Sequence, residues 1–313
     1  MTADVWVLGN LTIDDLVLAD GTTAMGLCGG NAIFAALGAR LWSTRVGLSA
    51  RVGPDYPASH VQALAATGIR LALSPVEAPT MHNWALYETA DRRRFINWLD
   101  SGSHLDQSLL PAEVPPDAGS ARVCHIAPMP LEVQAQLVRH LWGQGALVSL
   151  DPHDEYIPGA EATLLDLLGM VDLFLPSRQE AALLFGRDAP EEAARAFAAR
   201  GPRAVVVKLG AEGSLVCGQG QATPRYVPAV PVEAVDPTGA GDAFCGAFGA
   251  TYGRGGSLLE STCRATVAAS FVVERRGALA ILPLDPATAK RRLEWLTHTL
   301  KGDTSLCAWT SAN

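Results

Sequence analysis

Short apolar runs alternate with amphipathic stretches along most of the chain. In the amphipathic stretches apolar residues recur every three to four positions, the spacing of one face of an α-helix. The pattern predicts strands at residues 5–9, 44–48, 123–127, 146–150, 171–175 and 204–208. It predicts helices at residues 31–42, 55–67 and 131–142, from Ser177, from Pro190, and over most of 240–300. Apolar strands that alternate with helices are typical of a parallel sheet covered on both faces.

Two segments break this alternation, because residues 11–27 and 80–100 have strand character without an attached helix. We predict that they form a small antiparallel β-lid beside the main sheet, and the alternative is a surface hairpin without function. The chain is therefore predicted to be a single α/β domain over residues 1–313. Its fold class is a doubly wound, mostly parallel sheet with helices on both faces, into which the lid is inserted.

Composition and net charge argue against a disordered, nucleic-acid-binding or membrane-spanning protein. With 313 residues, 49% hydrophobic and 18% charged, the chain has the make-up of an ordinary globular protein. A net charge of −8 argues against nucleic-acid binding, which would need a basic face. The apolar runs are far shorter than the ~20 residues of a membrane span.

The start of the chain and the cysteines indicate a compartment. Residues 1–4 lack the basic start and apolar stretch of a signal peptide, so we expect a cytoplasmic protein. The six cysteines include no Cys-x-x-Cys pair, which predicts buried, reduced thiols rather than disulfides or a zinc site.

The most informative segment is Asp-Pro-Thr-Gly-Ala-Gly-Asp-Ala-Phe at residues 236–244. Small residues at Gly239, Ala240 and Gly241 allow a tight turn that exposes backbone N–H groups, and a predicted helix follows at once. This arrangement favours an anion site. The segment is neither a Walker loop nor a dinucleotide-binding glycine motif. Asp242 could accept a proton from a substrate hydroxyl, or it could simply complement the helix dipole.

This segment resembles the C-terminal signature of the ribokinase-like, or PfkB, carbohydrate kinases. The resemblance covers nearly the whole chain, and includes Gly9 and Asp14, Gly29-Gly30, and residues 148–152, 208–213 and 276–278. It implies ATP-dependent phosphorylation of a hydroxymethyl group on a sugar, sugar phosphate or nucleoside. It also implies a ribokinase-like fold with a β-lid over the substrate.

The resemblance assigns roles residue by residue. Asp242 is similar to the catalytic base, and the turn at 239–241 would hold the transferred phosphoryl group. Asp236 and Thr238 resemble positions that bind a monovalent cation, such as K⁺, in many members. Asp14, with Gly29 and Gly30, is similar to the substrate-binding set. Because Asp242 would lie at a helix N-terminus, we expect its pKa to be lowered and its proton transfer to depend on desolvation under the lid.

The nucleotide side of the site is assigned in the same way. Lys208, Gly210 and Gly213 resemble the loop that lines ATP. Where family members carry Asn-x-x-Glu for the magnesium–phosphate cluster, this chain has Ser177-Arg178-Gln179-Glu180. We expect Glu180 to serve Mg²⁺ through water and Ser177 to lie near the nucleotide. The alternative is a capping box that only starts a helix.

Substrate recognition departs from that of the ribose enzymes of the family. Phe34 replaces an Asn common in family sugar kinases, although Asn31 remains a substrate-binding candidate nearby. Arg94 begins the returning lid strand and could reach a substrate phosphate or hydroxyl, unless it is only solvated. His125 is expected to be a core residue rather than a catalyst. Residues 151–154, at a strand's carboxyl end, suggest contact with substrate or nucleotide.

These observations predict an ATP-dependent kinase acting on a sugar or sugar derivative. A nucleoside kinase is the alternative within the fold, motivated by Phe34, Trp84 and Trp98. A sugar- or nucleotide-binding protein that has lost turnover is the alternative from another class, motivated by Ser177. A ribbon carrying Trp84, Tyr87 and Trp98 is too small to bury both faces, so we expect a homodimer through the lid.

Overall fold

The strands and helices follow the predicted alternation. The structure, a computed structural model, describes residues 2–88 and 93–302. Its strands are β1 (Val5–Leu8), β2 (Thr12–Val17), β3 (Thr23–Gly29), β4 (Val46–Val52), β5 (Arg70–Pro75), β6 (His82–Tyr87), β7 (Arg93–Asn97), β8 (Val123–Ile126), β9 (Leu147–Leu150), β10 (Leu173–Phe174), β11 (Ala204–Lys208), β12 (Ser214–Gly218) and β13 (Arg225–Val227). Its α-helices are α1 (Asn31–Arg40), α2 (Ala58–Ala66), α3 (Leu131–Leu141), α4 (Glu161–Leu167), α5 (Arg178–Phe185), α6 (Pro190–Ala198), α7 (Ala240–Tyr252), α8 (Leu258–Val273) and α9 (Pro286–Gly302).

The main sheet is mostly parallel, as predicted. Within the described residues nine strands pair in the order β13-β12-β11-β10-β9-β8-β1-β4-β5. In this order, every neighbouring pair from β11 through β1 to β5 is parallel. The pairs β11–β12 and β12–β13 are antiparallel. The parallel edge strand β5 was not predicted. The antiparallel edge of β12 and β13 was not predicted either, because the helix-strand alternation stops there.

Helices cover both faces of this sheet, which confirms the doubly wound class. Alternate residues of β1 point to opposite faces. Trp6 and Leu8 belong to a core that includes residues of α3 to α6. Val5 and Val7 belong to a second core with residues of α1, α7 and α8. Because the connecting loops gather at the carboxyl ends of the parallel strands, the candidate site lies at that edge.

The two segments without helices form the lid. Strands β2 and β3 pair antiparallel, as do β6 and β7, and β2 pairs parallel with β6. The result is one four-stranded sheet in the order β3-β2-β6-β7. The two predicted ribbons are thus halves of a single lid, joined by a parallel pair that their separation in sequence concealed.

Cysteine placement agrees with the prediction of buried thiols. Cys28, Cys124, Cys217, Cys245 and Cys263 are all buried and free of disulfide bonds. Cys307 lies outside the described residues, as do the lid turn at 89–92 and the tail at 303–313. None of the helices in the described ranges has the length and apolar character that a bilayer crossing requires.

Helices α1 and α7 cross unusually closely. A Cβ on Gly246 would lie 1.8 Å from the carbonyl oxygen of Ala35, and one on Gly38 would lie 2.1 Å from the carbonyl oxygen of Ala243. Only glycine permits this approach of two backbones. The crossing fixes the turn before α1 relative to the turn before α7. The first turn contains Gly29 and Gly30, the candidate residues for acceptor binding, and the second contains the glycine turn that is the candidate anion site.

We expect Gly246→Ala to lower the free energy of unfolding by roughly 1–3 kcal/mol, because α1 and α7 must separate to admit the methyl group. Gly249→Ala on the same helix is the matched control, since its Cβ would meet only side-chain carbons of Val123 and Val5, the nearest at 3.3 Å. Denaturant titration of both variants measures the difference. Equal free energies of unfolding for Gly246→Ala and Gly249→Ala would show that α1 and α7 can separate without loss of stability.

Candidate active site

The turn at residues 239–241 leads directly into α7, as predicted. Gly239 has φ 79°, and a Cβ there would lie 2.2 Å from the Phe34 ring, so glycine is required on two counts. The Ala240 amide donates to the Pro237 carbonyl at 3.2 Å and closes the turn. The other first-turn amides of α7 precede any intrahelical acceptor and are available to an anion.

Asp242 lies in the first turn of α7 and is half-buried. Burial raises its pKa to about 8, the nearby Asp151 and Glu180 carboxylates add to the increase, and Lys208 opposes it. The expectation of a lowered pKa was therefore wrong. Enclosure by protein and two acidic neighbours outweigh the favourable helix dipole, which contributes only ~0.3–1 kcal/mol.

Lys208 lies beside α7 rather than out in the nucleotide loop. Its Nζ donates to Asp151 Oδ2 at 2.5 Å and to Cys245 Sγ at 3.4 Å. Asp151 is buried, and its Oδ1 has no hydrogen-bond partner among the described residues. The neighbouring Asp151, Cys245 and Glu180 raise the pKa of Lys208 against the effect of its burial, so the ammonium remains charged.

Ser177 and Glu180 form the capping box that the sequence offered as an alternative. The Ser177 amide donates to Glu180 Oε2 at 2.6 Å, and the Glu180 amide donates to Ser177 Oγ at 3.2 Å. Burial raises the pKa of Glu180 to about 7, and Asp151 contributes. Helix capping and a role near a cation are compatible for Glu180, whereas the Ser177 hydroxyl is already engaged by the helix.

Gly210 and Gly213 flank the short 3₁₀ turn Gly210–Glu212 between β11 and β12. The Leu209 amide donates to the Gly213 carbonyl at 2.8 Å, which closes the loop. Space beside Gly210 is open, since an added Cβ would meet no atom within 4 Å. The loop therefore follows directly from the strand that carries Lys208 and offers a surface to which a flat ligand could bind.

Asp14 marks the lid side of the site. Its Oδ1 accepts hydrogen bonds from Thr12 Oγ1 at 2.8 Å and Asn83 Nδ2 at 3.3 Å, and burial raises its pKa to about 6. A Cβ on Gly29 would lie 1.8 Å from Asp14 Oδ2. Gly30 follows at the N-terminus of α1. The predicted acceptor residues Asp14, Gly29 and Gly30 are thus brought together.

Asn31 and Arg94 are the remaining residues predicted to bind substrate. The side-chain Oδ1 of Asn31 accepts a hydrogen bond from the backbone N–H of Asn10 at 2.8 Å, and its Nδ2 donates to the Pro128 carbonyl at 2.6 Å. The Asn31 side chain therefore holds two loops together. Arg94 is exposed and pairs with Leu86, on the lid face opposite to Tyr87. The β-register therefore places Arg94 on the face turned away from Tyr87, which favours the alternative that Arg94 is only solvated.

His125 is the core residue that its apolar surroundings predicted. It is fully buried, and its Nδ1 lies 3.0 Å from Ser149 Oγ. Burial lowers its pKa to about 3. An imidazole that remains neutral inside the sheet takes no part in the chemistry at its edge.

Tyr87 reaches the site from the lid, which the sequence did not indicate. Its hydroxyl donates to Asp236 Oδ1 at 2.6 Å and lies 3.1 Å from Thr238 Oγ1. Asp236 Oδ1 also accepts from the Thr238 amide at 2.9 Å. Tyr87 and Asp236 are 149 residues apart in the chain, and no local pattern signals such a pair.

Comparisons with known proteins identify the family of the chain. Residues 18–285 match the pfkB family of carbohydrate kinases. The chain is 31% identical to a cytidine kinase of Thermococcus kodakarensis over 264 residues, covering 82% of this chain and 91% of that protein. It is 27% identical to a deoxyribokinase of Salmonella typhi, covering 82% and 84%.

A solved structure supports the fold. The crystal structure of a putative Ribokinase II from E. coli, in complex with ATP and Mg²⁺, superposes with a TM-score of 0.77. The superposition covers 94% of this chain and 99% of that one at 23% identity. The nine-stranded sheet and the lid sheet of the described residues therefore constitute a ribokinase-like fold. Together with the match over residues 18–285, this places the chain in the pfkB family of carbohydrate kinases, phosphotransferases with a hydroxyl acceptor.

Proposed function

We propose that the protein transfers the γ-phosphoryl group of ATP to a hydroxyl of a sugar or sugar derivative, with Asp242 as the base. The observation that carries this proposal is the position of Asp242 in the first turn of α7, immediately after the glycine turn. A carboxylate inside an anion site can orient an acceptor hydroxyl and take its proton as the phosphorus–oxygen bond forms. The amides of the turn would stabilise charge on the transferred group.

Asp14 would bind the acceptor substrate. Its buried carboxyl, with Gly29 and Gly30 beside it, can hydrogen-bond sugar hydroxyls from the lid side. The raised pKa of Asp14 indicates that its charge lacks full compensation without a ligand. Sugar hydroxyls would provide the missing donors. Asn31 would support the loops around the acceptor rather than contact it.

Magnesium fits the acidic groups on the donor side. Asp151 Oδ1 is buried without a partner, and Glu180 has a pKa raised to about 7 by burial and by Asp151. Mg²⁺ usually keeps several waters and is held by one or two carboxylates together with substrate phosphates. Bound there, Mg²⁺ would neutralise charge on the ATP phosphates. Glu180, with Asp151, would hold it, and Lys208 would keep Asp151 ionised.

The remaining predicted roles concern ATP and a monovalent cation. We assign Gly210 and Gly213 to the nucleotide surface, with Ser177 as a neighbouring helix cap. Asp236 and Thr238 precede the glycine turn, where K⁺ would be held by the loop. Replacing K⁺ by tetramethylammonium in the assay tests the cation requirement. We also place the protein in the cytoplasm, in keeping with its free, buried thiols.

A nucleoside acceptor is the second candidate, and the observation that favours it is 31% identity to a cytidine kinase. The aromatic residues that first suggested it do not support it. Trp84 pairs with Ile96 on the lid face opposite to Tyr87, and the Phe34 ring packs against Gly239. Trp98 lines the same outer recess as Trp84, and Phe34 is buried.

An ADP-release screen over pentoses, hexoses, their phosphates and nucleosides tests the function and separates its two forms. Substrate-dependent release is expected for a pentose, hexose or derivative. Preference for a nucleoside would favour the second candidate. Calorimetric binding of sugar and ATP without ADP release would instead indicate the binding protein that has lost turnover.

We expect a homodimer through the outer lid face, defined as Trp84, Leu86, Ile96, Trp98 and Leu99. Ile96 is 46% exposed, Trp98 41% and Leu99 92%, and these residues line a recess of about 320 Å³. A contiguous apolar surface of this kind marks an interface. Tyr87, first grouped with these residues, faces the site instead.

Sedimentation velocity at micromolar concentration measures this association. The wild type should sediment as a dimer and Ile96→Lys as a monomer. Leu183→Lys is the matched control, because Leu183 is 38% exposed on α5, away from the lid. A wild-type protein that is monomeric throughout would remove the proposal.

A further inference from the structure

Tyr87 is a lid residue whose hydroxyl has no role in the proposed phosphoryl transfer, although it contacts the main domain. Its ring is buried in a small apolar cluster with Leu16 and Ala85, on the lid face that turns toward the site. Its hydroxyl extends from this cluster to Asp236 Oδ1 at 2.6 Å. The side chain therefore contacts both the lid and the main domain.

The second contact is made at the start of the loop that becomes the glycine turn. The Asp236 amide donates to the Val273 carbonyl at 3.0 Å, which anchors the loop to the end of α8. The Asp236 carboxylate then accepts from both Tyr87 and the Thr238 amide. The loop at 236–238 is thus held between the helical domain and the lid, and the glycine turn follows within one residue.

A further contact joins lid and main domain nearby. Leu27 of β3 lies against Gly277, where an added Cβ would be 3.2 Å from Leu27 Cδ1. This contact is purely apolar and tolerates small shifts. The hydrogen bond from Tyr87 is directional and made to a buried carboxylate, so it specifies one position of the lid relative to the loop.

We propose that Tyr87 is a positioning residue that couples the lid to the glycine turn through Asp236, an inference that rests on the proposed kinase function. With the lid in place, the Tyr87 hydroxyl completes the hydrogen bonds of Asp236 and orders the loop at 236–238. Displacement of the lid removes that donor and leaves a buried carboxylate short of a partner. The turn that holds the phosphoryl group is then best ordered when the acceptor is covered, which directs transfer to the acceptor.

Tyr87→Phe tests the coupling, because it keeps the ring in its apolar cluster and removes only the hydroxyl. We expect kcat to fall roughly 10- to 100-fold, as for loss of a hydrogen bond to a charged group, with KM for ATP changed less than about twofold. Tyr252→Phe is the matched control, since Tyr252 lies at the end of α7 opposite to the glycine turn. Adding Tyr87→Phe to Asp236→Asn should cost no more than a further factor of about two. An unchanged kcat in Tyr87→Phe, or independent losses in the double variant, would overturn the proposal.

Hydrogen exchange of the ligand-free protein tests the coupling without any assumption about activity. In Tyr87→Phe the amides of residues 235–241 should exchange faster, and in Tyr252→Phe they should not. Unchanged exchange at 235–241 in Tyr87→Phe would refute the coupling. If the wild type phosphorylates no acceptor, the proposed function fails, and the exchange result still decides whether Tyr87 orders the loop.

Discussion

Replacing Asp242 by Asn is expected to lower turnover by roughly 10²–10⁴-fold, the usual contribution of a positioned general base. The amide preserves the size and polarity of the side chain but cannot accept the proton of the acceptor hydroxyl. Affinity for ATP should change little or increase, because a negative charge near the γ-phosphate is removed. Initial rates at saturating substrates, with an ATP titration, measure both effects.

The pH dependence gives an independent test of the same residue. Since burial raises the pKa of Asp242 to about 8, kcat/KM for the acceptor should increase with pH toward that value as the base loses its proton. Between the ordinary value of 3.8 and about 8, the unfolded chain releases a proton that the folded chain keeps. The free energy of unfolding therefore falls as pH rises through this range.

Asp242→Asn has no carboxyl group at this position and so lacks the loss of stability that comes with rising pH. It should therefore melt at a higher temperature than the wild type at pH 8. The opposite pattern would identify Asp242 as a dipole-complementing residue. In that case Asp242→Asn would remain active and would lose only ~0.3–1 kcal/mol of stability. A stable, fully active variant would refute the mechanism.

Lys208→Met is expected to destabilise the protein by ~3–5 kcal/mol at neutral pH, because it leaves the Asp151 carboxylate buried without its cation. The ammonium lies 2.5 Å from Asp151 Oδ2, and both side chains are largely buried. Turnover should fall as well, since loss of the ammonium removes a positive charge that lowers the pKa of Asp242. Denaturant titration measures the loss of stability.

Two comparisons make the Lys208 result specific. Lys290→Met removes an exposed lysine that lies 3.8 Å from Glu294, and such a pair contributes little. Combining Lys208→Met with Asp151→Asn should restore much of the stability, because the unpaired charge is gone. A loss below about 1 kcal/mol in Lys208→Met would mean that water or Asp151 protonation already compensates the pair.

The fold could be predicted because its strands and helices carry local signals. Most strands of the parallel sheet are largely apolar, and helices such as α3 have a clear apolar face, so alternation along the chain was enough to identify them. Strand β5, which carries Arg70 and Ser74, was missed although it pairs parallel with β4. The glycine turn and Asp242 were identifiable for the same reason, since the residues of an anion site at a helix N-terminus are contiguous. The antiparallel edge strands β12 and β13 break the alternation and were missed.

Features that depend on tertiary placement could not be predicted. The face on which Arg94 lies is decided by its pairing with Leu86, and no local sequence pattern indicates this register. The pKa of Asp242 was predicted in the wrong direction because its burial depends on the fold, as does the approach of Asp151 and Glu180, which are distant in sequence. The bond from Tyr87 to Asp236 likewise joins two elements whose separate patterns say nothing of each other.

The close crossing of α1 and α7 has a consequence for how this enzyme could change its acceptor. Backbone contacts at Gly38 and Gly246 leave no room for either helix to shift. The lid, in contrast, contributes Asp14 and Asn83 on strands inserted between elements of the main sheet. Evolution or a protein engineer could therefore treat the lid strands as an exchangeable cassette, and vary acceptor choice while the phosphoryl-transfer geometry stays fixed.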